Sequence, residues 1–166
     1  MISGISCRES LLVYCLLTHT AFGFTQTIRS ATADCRNSNF GVAADLSTSF
    51  KILPSGVQVP PGEIVNLLNT QWLFSGVLTD ADSNEVGRTA EQYVRLSDNY
   101  WLYKGSYINL NGCSGIISIK GIYNESENSG SGTYAVVGGT GDFAGATGQV
   151  SDMITGLTSE RQVTIN

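Results

Sequence analysis

The stretch Tyr134–Val150, YAVVGGTGDFAGATGQV, decides which fold class this sequence adopts. An apolar run breaks into closely spaced glycines, in a pattern that loosely matches the Gly-x-Gly-x-x-Ala fingerprint of dinucleotide-binding proteins. That fingerprint requires a helix whose N-terminus meets the pyrophosphate. Here Gly145 and Gly148 would each cost a helix about 1 kcal/mol, and Asp142 would repel phosphates. We therefore interpret the stretch as a strand, a glycine turn and a return strand, with Phe143 as an apolar plug between them.

The segments around this turn predict an all-β protein. The 166 residues include 19 glycines and only three prolines, together with many Thr, Ser, Tyr and Val residues, a composition typical of strands and tight turns. Short polar clusters separate seven runs of strand-like composition: IVNLL, QWLFSGVLT, TAEQYVRL, YWLYKGSYINL, GIISIKGIY, GTYAVVGG and RQVTIN. Several short strands with regular turns indicate a β-sandwich or β-barrel. We find no internal repeat and no second globular domain.

The N-terminus differs from the remainder of the chain. A weakly basic start, the apolar run LLVYCLL and small residues before a possible cleavage site after Gly23 predict a secretory signal. The alternatives are a buried first strand or short helix, or the first part of a bipartite plastid presequence. The predicted organisation is a signal at 1–23, a polar segment at 24–40 and a β-barrel domain at 41–166. The predicted location is extracellular, with the plastid as the alternative.

Loss of this segment would limit the chemistry available to the protein. The single histidine, His19, would be removed with Cys7 and Cys15, which leaves no His-based nucleophilic system and no His-ligated metal. Cys35 and Cys113 would remain, either as a disulfide in an oxidising compartment or as two separate buried thiols. We predict neither a metal nor a nucleotide cofactor. Charged residues make up only 14% of the chain and the net charge is −5, which disfavours nucleic-acid binding.

Two further motifs are weak matches. Asp80-x-Asp82-x-Asn84 imitates the start of an EF-hand loop, but Glu85 occupies the position that requires glycine, and the flanking segments predict strands. A polar hairpin turn is the better interpretation, with weak calcium binding as the alternative. Asn124 begins an Asn-Glu-Ser sequon that we place in a polar loop, where it predicts N-glycosylation.

Beyond these motifs, AVVGGTGDFAGATGQV resembles the C-terminal signature of dirigent proteins and allene oxide cyclases. PGEIVNLLN, WLFSGVLTDADSNEVGRTAEQYVRL and GIISIKGIY are similar to upstream strands of that family, so the resemblance covers roughly residues 62–150. It implies a small antiparallel eight-stranded β-barrel that acts without a cofactor and assembles as a trimer or dimer. Residues 24–61 do not match the family's first strand, where it carries important polar residues.

The resemblance implies a function in guiding the stereoselective cyclisation or isomerisation of a small reactive molecule, hydrophobic or phenolic. The protein would then be an enzyme or a dirigent-type auxiliary. The alternatives are a secreted barrel that binds a small hydrophobic ligand without catalysis, and a structural protein whose own side chains fill the barrel. Polar groups inside a cavity would favour the first of these functions.

Candidate site residues come from the central strands. Alternation places Thr89, Glu91, Tyr93 and Arg95 on one face of a strand, which is either the interior or a solvated ladder. By resemblance the Tyr93 position faces the cavity, and Tyr123 matches a pocket tyrosine. The predicted catalytic residues are Glu91, Tyr93, Arg95 and Tyr123. The predicted pocket aromatics are Trp72, Phe74, Trp101 and Tyr103, which could equally be packing residues. We interpret four other polar residues as surface residues: Asp45, Glu63, Lys120 and Asp152.

Overall fold

A computed structural model describes residues 35–127 and 129–166, and the protein is all-β over these residues. The predicted signal at 1–23, with His19, and the first part of the 24–40 segment lie outside the described residues. Short 3-10 turns supplement ten strands: β1 Ser38–Asp45, β2 Phe50–Ile52, β3 Gln58–Val59, β4 Gln71–Thr79, β5 Glu85–Arg95, β6 Tyr100–Ile108, β7 Ile116–Ser126, β8 Ser129–Gly139, β9 Gly148–Thr155 and β10 Thr158–Ile165. No described helix has the length and apolar character needed to cross a membrane.

Eight of the strands close into an antiparallel barrel, as the family resemblance implies. Strands β4 to β10 follow one another as neighbours, so each pairs with the next along the chain. Strand β1 pairs with β10 along its whole length and meets β4 where Ala43 lies opposite Thr79, which closes the barrel. The short β2 strand continues the wall beside the start of β4, and β3 pairs with β2 outside the barrel.

The glycine-rich stretch forms the predicted turn. Strand β8 ends at Gly139, a 3-10 turn covers Gly141–Phe143, and β9 returns from Gly148. Phe143 is completely buried in the core, which confirms that it is a plug. Gly141 has a φ of +62°, a conformation that favours glycine, and a Cβ there would lie 2.4 Å from the Ser114 carbonyl oxygen. No α-helix follows β8, so the arrangement that would bind a pyrophosphate is not formed.

Two other local predictions need correction. The run IVNLL is not a strand but part of the loop between β3 and β4, because β1 and β2 already pair with the free edge of β4. Only Val65 of this run is buried. The Asn124 sequon lies on β7 rather than in a loop, since Asn124 pairs with Ser131 across the β7–β8 hairpin, although its side chain is exposed.

The Asp80–Asn84 segment is a polar hairpin turn, as predicted. One Asp80 carboxylate oxygen accepts hydrogen bonds from the backbone N–H groups of Asp82 and Asn84, each at 2.9 Å. These bonds hold the turn closed, and the pKa of Asp80 is lowered first by the hydrogen bonds that the Asn84 side chain donates and then by these backbone bonds. No cluster of three metal-ligating side chains occurs among the described residues. The carboxylate of Asp80 therefore stabilises the turn itself.

A disulfide joins Cys35 to Cys113, with the Cα atoms 5.9 Å apart. It ties the segment before β1 to the turn that follows β6, at the end of the barrel where Leu110 and Phe143 are buried. The bond spans 78 positions of the sequence, so it restricts the unfolded chain strongly.

Large aromatic side chains fill the barrel and lie over glycines on the same wall. A Cβ on Gly105 would approach the Tyr103 hydroxyl to 2.1 Å, and one on Gly132 would approach the Tyr134 ring to 2.3 Å. Glycine at these inward positions thus makes the space that the tyrosine rings occupy. The side chains with almost no exposure include Tyr93, Trp101, Tyr103, Tyr107, Tyr123 and Tyr134.

Candidate functional site

The inward face of β5 contains the residues that the sequence analysis selected. Its buried polar and aromatic residues are Thr89, Glu91, Tyr93 and Arg95. This face turns inward because Tyr93 lies opposite Trp72 on β4 and Tyr103 on β6, and burial of three large aromatic rings outweighs the cost of the neighbouring polar groups. The solvated-ladder interpretation of this face is therefore wrong.

Glu91 forms a fully buried ion pair with Arg161 of β10. The Arg161 Nη2 atom donates to Glu91 Oε2 at 2.9 Å, and Nη1 donates a short bond to Oε1. Neither side chain has any exposed surface. Thr89 Oγ1 donates to Glu91 Oε1 at 2.6 Å, and the Tyr93 hydroxyl donates to Oε2 at 3.2 Å. The carboxylate thus accepts four hydrogen bonds and is held in a fixed, buried position.

Asp152 of β9 completes a charge network on the other side of Arg161. The Ser159 hydroxyl donates to Asp152 Oδ1 at 2.7 Å, and the Tyr134 hydroxyl donates to Oδ2 at 3.0 Å. Arg161 Nε lies 3.4 Å from Oδ1. We call Glu91, Asp152 and Arg161 the ionic network. With two carboxylates and one guanidinium it holds a formal excess of one negative charge inside the barrel.

The electrostatics of this interior keep the tyrosines neutral. Burial, and then the charge of Glu91, raises the pKa of Tyr93 well above its usual range. Burial, and then Asp152, raises the pKa of Tyr134 in the same way. Burial alone would lower the pKa of Arg161, but Glu91 and the surrounding tyrosines raise it well above its ordinary value. The interior therefore offers neutral hydroxyl donors and a permanent cation, not phenolate bases.

Arg95 does not join the ionic network but belongs to a second cluster, near the loop that precedes β4. Its Nη1 atom donates to Glu125 Oε2 at 2.9 Å, and the same oxygen accepts the Trp101 indole N–H at 2.9 Å. Lys51 of β2 reaches the cluster from the strand beside β4, where it pairs with Trp72, and its Nζ atom lies 5.4 Å from the centre of the Trp72 ring. We call Lys51, Trp72, Arg95, Trp101 and Glu125 the indole cluster.

Stacked rings connect the indole cluster to the ionic network. The Trp72 and Tyr93 ring centres are 5.1 Å apart, and those of Tyr93 and Tyr123 are 5.5 Å apart. Tyr103 lies 4.9 Å from Tyr93 and stacks on Tyr134 at 4.0 Å. Because Tyr134 donates to Asp152, a continuous aromatic path runs from the end of the barrel to the buried charges.

Part of the predicted site is therefore brought together and part is not. Glu91 and Tyr93 are hydrogen-bonded inside the barrel, whereas Arg95 and Tyr123 lie nearer the indole cluster. Trp72 and Trp101 belong to that cluster, and Phe74 and Tyr103 are core residues. The assignment of Asp152 to the surface is wrong, because it is buried between Tyr134, Ser159 and Arg161. Several residues were missed: Lys51, Tyr107, Glu125, Tyr134, Ser159 and Arg161.

A separate concavity of about 1070 Å³ lies on the outer wall formed by β1, β10, β9, β8 and β7. Its exposed lining crosses these strands in one row of paired positions, from Ile122 through Thr133 and Ser151 to Gln162. Asp152 and Arg161 also border this concavity, but their side chains have no exposed surface, so this surface does not give access to the ionic network.

Comparison with known proteins identifies the fold but not a family. No protein-family model matches the chain, and no curated protein matches it. Among solved structures it is similar to one described as "Pyocyanin demethylase", with a TM-score of 0.59 and 16% sequence identity. The match covers 78% of this chain and all of that one. At this identity the likeness establishes the eight-stranded antiparallel barrel alone.

Proposed function

We propose that this barrel binds a small planar molecule near the indole cluster and guides its cyclisation or isomerisation without a cofactor, as the dirigent and allene oxide cyclase resemblance implies. The observation that carries the proposal is the ionic network in an otherwise aromatic interior. Buried charges cost stability compared with apolar residues of similar size, and such groups concentrate at functional sites. The likeness to a small barrel enzyme that acts on pyocyanin, by its name, is compatible with a planar aromatic substrate.

In this mechanism the neutral tyrosines and Glu91 have different roles. The Tyr93 hydroxyl is the link between the two clusters, because its ring contacts Trp72 while its oxygen donates to Glu91. A ligand oxygen that develops negative charge during ring closure would accept the hydrogen bond that the Tyr93 hydroxyl otherwise donates to Glu91, and the proton would stay on the tyrosine. Arg161 fixes the orientation of Glu91 through its two hydrogen bonds to the carboxylate. The aromatic walls select one conformer of the ligand, which gives the stereoselectivity.

A second candidate function is binding or structure without catalysis. The observation that favours it is the filling of the barrel by its own side chains, since Tyr93, Tyr103 and Tyr107 have no exposed surface. A ligand would have to displace one or more of these rings. Both carboxylates of the ionic network already accept bonds from several donors, so the resting arrangement has no vacant acceptor position facing solvent.

The test measures the rate and enantiomeric excess of products from chemically generated allene oxides and quinone methides. The variants are Glu91→Gln, Tyr93→Phe and the double variant. We expect the double variant to lose the excess and to slow the steered reaction by about 10²- to 10⁴-fold. Glu85→Gln and Tyr100→Phe are matched controls, because both residues are exposed on neighbouring strands. An unchanged rate and excess in the double variant would refute the catalytic assignment.

We also propose that the protein is secreted and forms a homo-oligomer, a trimer or a dimer. The Cys35–Cys113 disulfide is consistent with an oxidising compartment, and Asn124 is available for glycosylation on the outer wall. Light scattering on the purified protein gives the subunit number, and a glycosidase-sensitive mass shift after expression in a secretory host tests the sequon. A monomer without such a shift would contradict these two expectations.

A further inference from the structure

The indole cluster itself contains two cations and one carboxylate. Lys51 and Arg95 are both buried, and both lie over the Trp101 ring, with Lys51 Nζ 6.0 Å and Arg95 Cζ 5.1 Å from its centre. Glu125 is the carboxylate bonded within the cluster, and it is partly exposed. Two desolvated cations thus share one partly exposed bonded anion, and the exposed carboxylate of Glu63 adds a weaker attraction on Lys51.

Donor groups in this cluster are also incompletely used. The Arg95 Nε atom is buried and has no hydrogen-bond partner, which is rare for a buried polar group and requires an explanation. Lys51 Nζ has three donor hydrogens, and its hydrogen bond goes to the Glu63 carbonyl oxygen at 2.8 Å. The cluster therefore presents cationic donors without enough acceptors, which is the chemistry of an anion site.

The loop of residues 60–70 supplies one acceptor to each of these cations, while Arg95 also donates to Glu125 Oε2 and to the Asp98 carbonyl oxygen. Its Glu63 carbonyl oxygen accepts from Lys51, and its Asn66 Oδ1 accepts from Arg95 Nη2 at 3.2 Å. Val65 points inward, while Ile64, Leu67 and Leu68 are exposed. Two neutral oxygens of one loop thus stand where a pair of anionic oxygens would bind more strongly. The loop contains no helix or strand, so few backbone bonds oppose its displacement.

We propose that the indole cluster binds the carboxylate of a small aromatic or conjugated acid, with the carboxylate on Lys51 and Arg95 and the planar body against Trp72 and Trp101. The acid replaces the loop oxygens of Glu63 and Asn66, and the 60–70 loop moves outward. This assignment deepens the proposed function by naming a substrate class, and it rests on that proposal only in taking the ligand to enter at this end. Binding itself is measurable without any reaction.

The experiment uses the chain's own reporters. The sequence contains two tryptophans, Trp72 and Trp101, and both lie in the cluster. Their indole N–H signals in a ¹H–¹⁵N spectrum are followed while trans-cinnamate, its neutral amide or acetate is added to the oxidised protein. We expect cinnamate to shift both signals, the amide to bind about tenfold or more weakly because it lacks the charge, and acetate to bind more weakly because it lacks the ring.

The matched variants are Lys51→Met and Lys104→Met, since Lys104 is exposed on the outer face of β6. Lys51→Met is expected to weaken cinnamate binding about tenfold or more and to abolish its preference over the amide, whereas Lys104→Met leaves both unchanged. Equal binding of cinnamate and amide by the unmodified protein would overturn the proposal, whether or not Lys51→Met folds. So would the absence of shifts at both indoles.

The outcomes separate this inference from the proposed function. In one outcome, cinnamate binding depends on Lys51 but no substrate reacts in a way that depends on Glu91. That outcome would support the acid-binding site and refute the catalytic proposal. If neutral substrates react in a way that depends on Glu91 and the protein shows no preference for acids, the catalytic proposal would be supported and the acid-binding site refuted. Inorganic phosphate that competes fully with cinnamate while the amide fails to bind would reduce the site to a general anion site and overturn the assignment of an aromatic acid.

Discussion

Removal of Arg161 is the most informative perturbation of this barrel. Its guanidinium contacts both Glu91 and Asp152, and the three side chains have no exposed surface in these pairs. The variant Arg161→Met keeps a similar length but leaves two buried carboxylates without their cation. Breaking a buried ion pair from one side costs about 3–5 kcal/mol of unfolding free energy. That is a large share of the total of about 5–15 kcal/mol expected for a domain.

The loss of unfolding free energy in Arg161→Met should depend on pH in a defined direction. A buried carboxylate without a cation takes up a proton more readily than a solvated one. The folded variant would then hold a proton that the unfolded chain releases above about pH 4. The unfolding free energy of the variant therefore falls furthest below that of the wild type at neutral and alkaline pH. The difference shrinks on acidification, by at most about 1.4 kcal/mol per pH unit for one proton.

The assay is equilibrium unfolding in urea at pH 8 and pH 5.5, followed by tryptophan fluorescence with the disulfide intact. Arg88→Met is the matched control, because Arg88 pairs with Glu85 on the surface, where their side chains are 69% and 55% exposed. That control should change stability by no more than about 0.5 kcal/mol. Arg161→Met with a deficit below about 1 kcal/mol at pH 8, or with the same deficit at both pH values, would refute the reasoning about buried charge.

Three further predictions concern the barrel as a whole. Replacing Cys35 and Cys113 by serine should lower the unfolding free energy by about 2–4 kcal/mol in urea titrations, because the bond closes a long loop; an unchanged stability would show that it contributes little. Gly132→Ala should cost about 1–3 kcal/mol, because the new Cβ would overlap the Tyr134 ring, whereas Gly62→Ala, where nothing lies within 4 Å, should be nearly neutral. The five buried tyrosines have raised pKa values, so the folded state retains protons that the unfolded chain releases above about pH 10. Stability should be intact below that pH and fall above it, and the absorbance change of these five tyrosines at 295 nm should coincide with the change in circular dichroism; ionisation of the buried tyrosines in a still-folded protein would contradict this.

The all-β class was predictable from local patterns, whereas the choice of an eight-stranded barrel came from the family resemblance. The glycines after Val137 cannot continue a helix, so the chain must turn, and the strand-like runs on either side supply paired walls. The first strand, Ser38–Asp45, was the hardest to predict. Its alternation of apolar and polar residues is poor, because Gly41 and two alanines have small side chains or none. The IVNLL run was wrongly predicted to be a strand. Its composition is apolar, but the edge of β4 with which it could pair is already occupied by β1 and β2.

The candidate site was only half predictable, for a reason that lies in the strands themselves. Glu91 and Tyr93 stand in a recognisable alternating strand, so their shared face was visible even before its direction was known. Arg161 and Asp152 had an equally clear signal. Arg161 alternates with the apolar Val163 and Ile165, and Asp152 stands between Val150 and Ile154, so each must point to the same side as buried residues.

The charges of Arg161 and Asp152 favour a surface position, but their alternation with buried apolar residues is the stronger evidence and places them inside. A lone arginine or aspartate on an inward face is too costly to persist unless the opposite wall provides its partner. Arg161 therefore implied a carboxylate elsewhere in the barrel, and Glu91 on the inward face of β5 meets that requirement. The sequence contains both halves of the pair 70 positions apart. Only closure of the barrel, which brings β10 and β5 to opposite sides of one core, makes them partners.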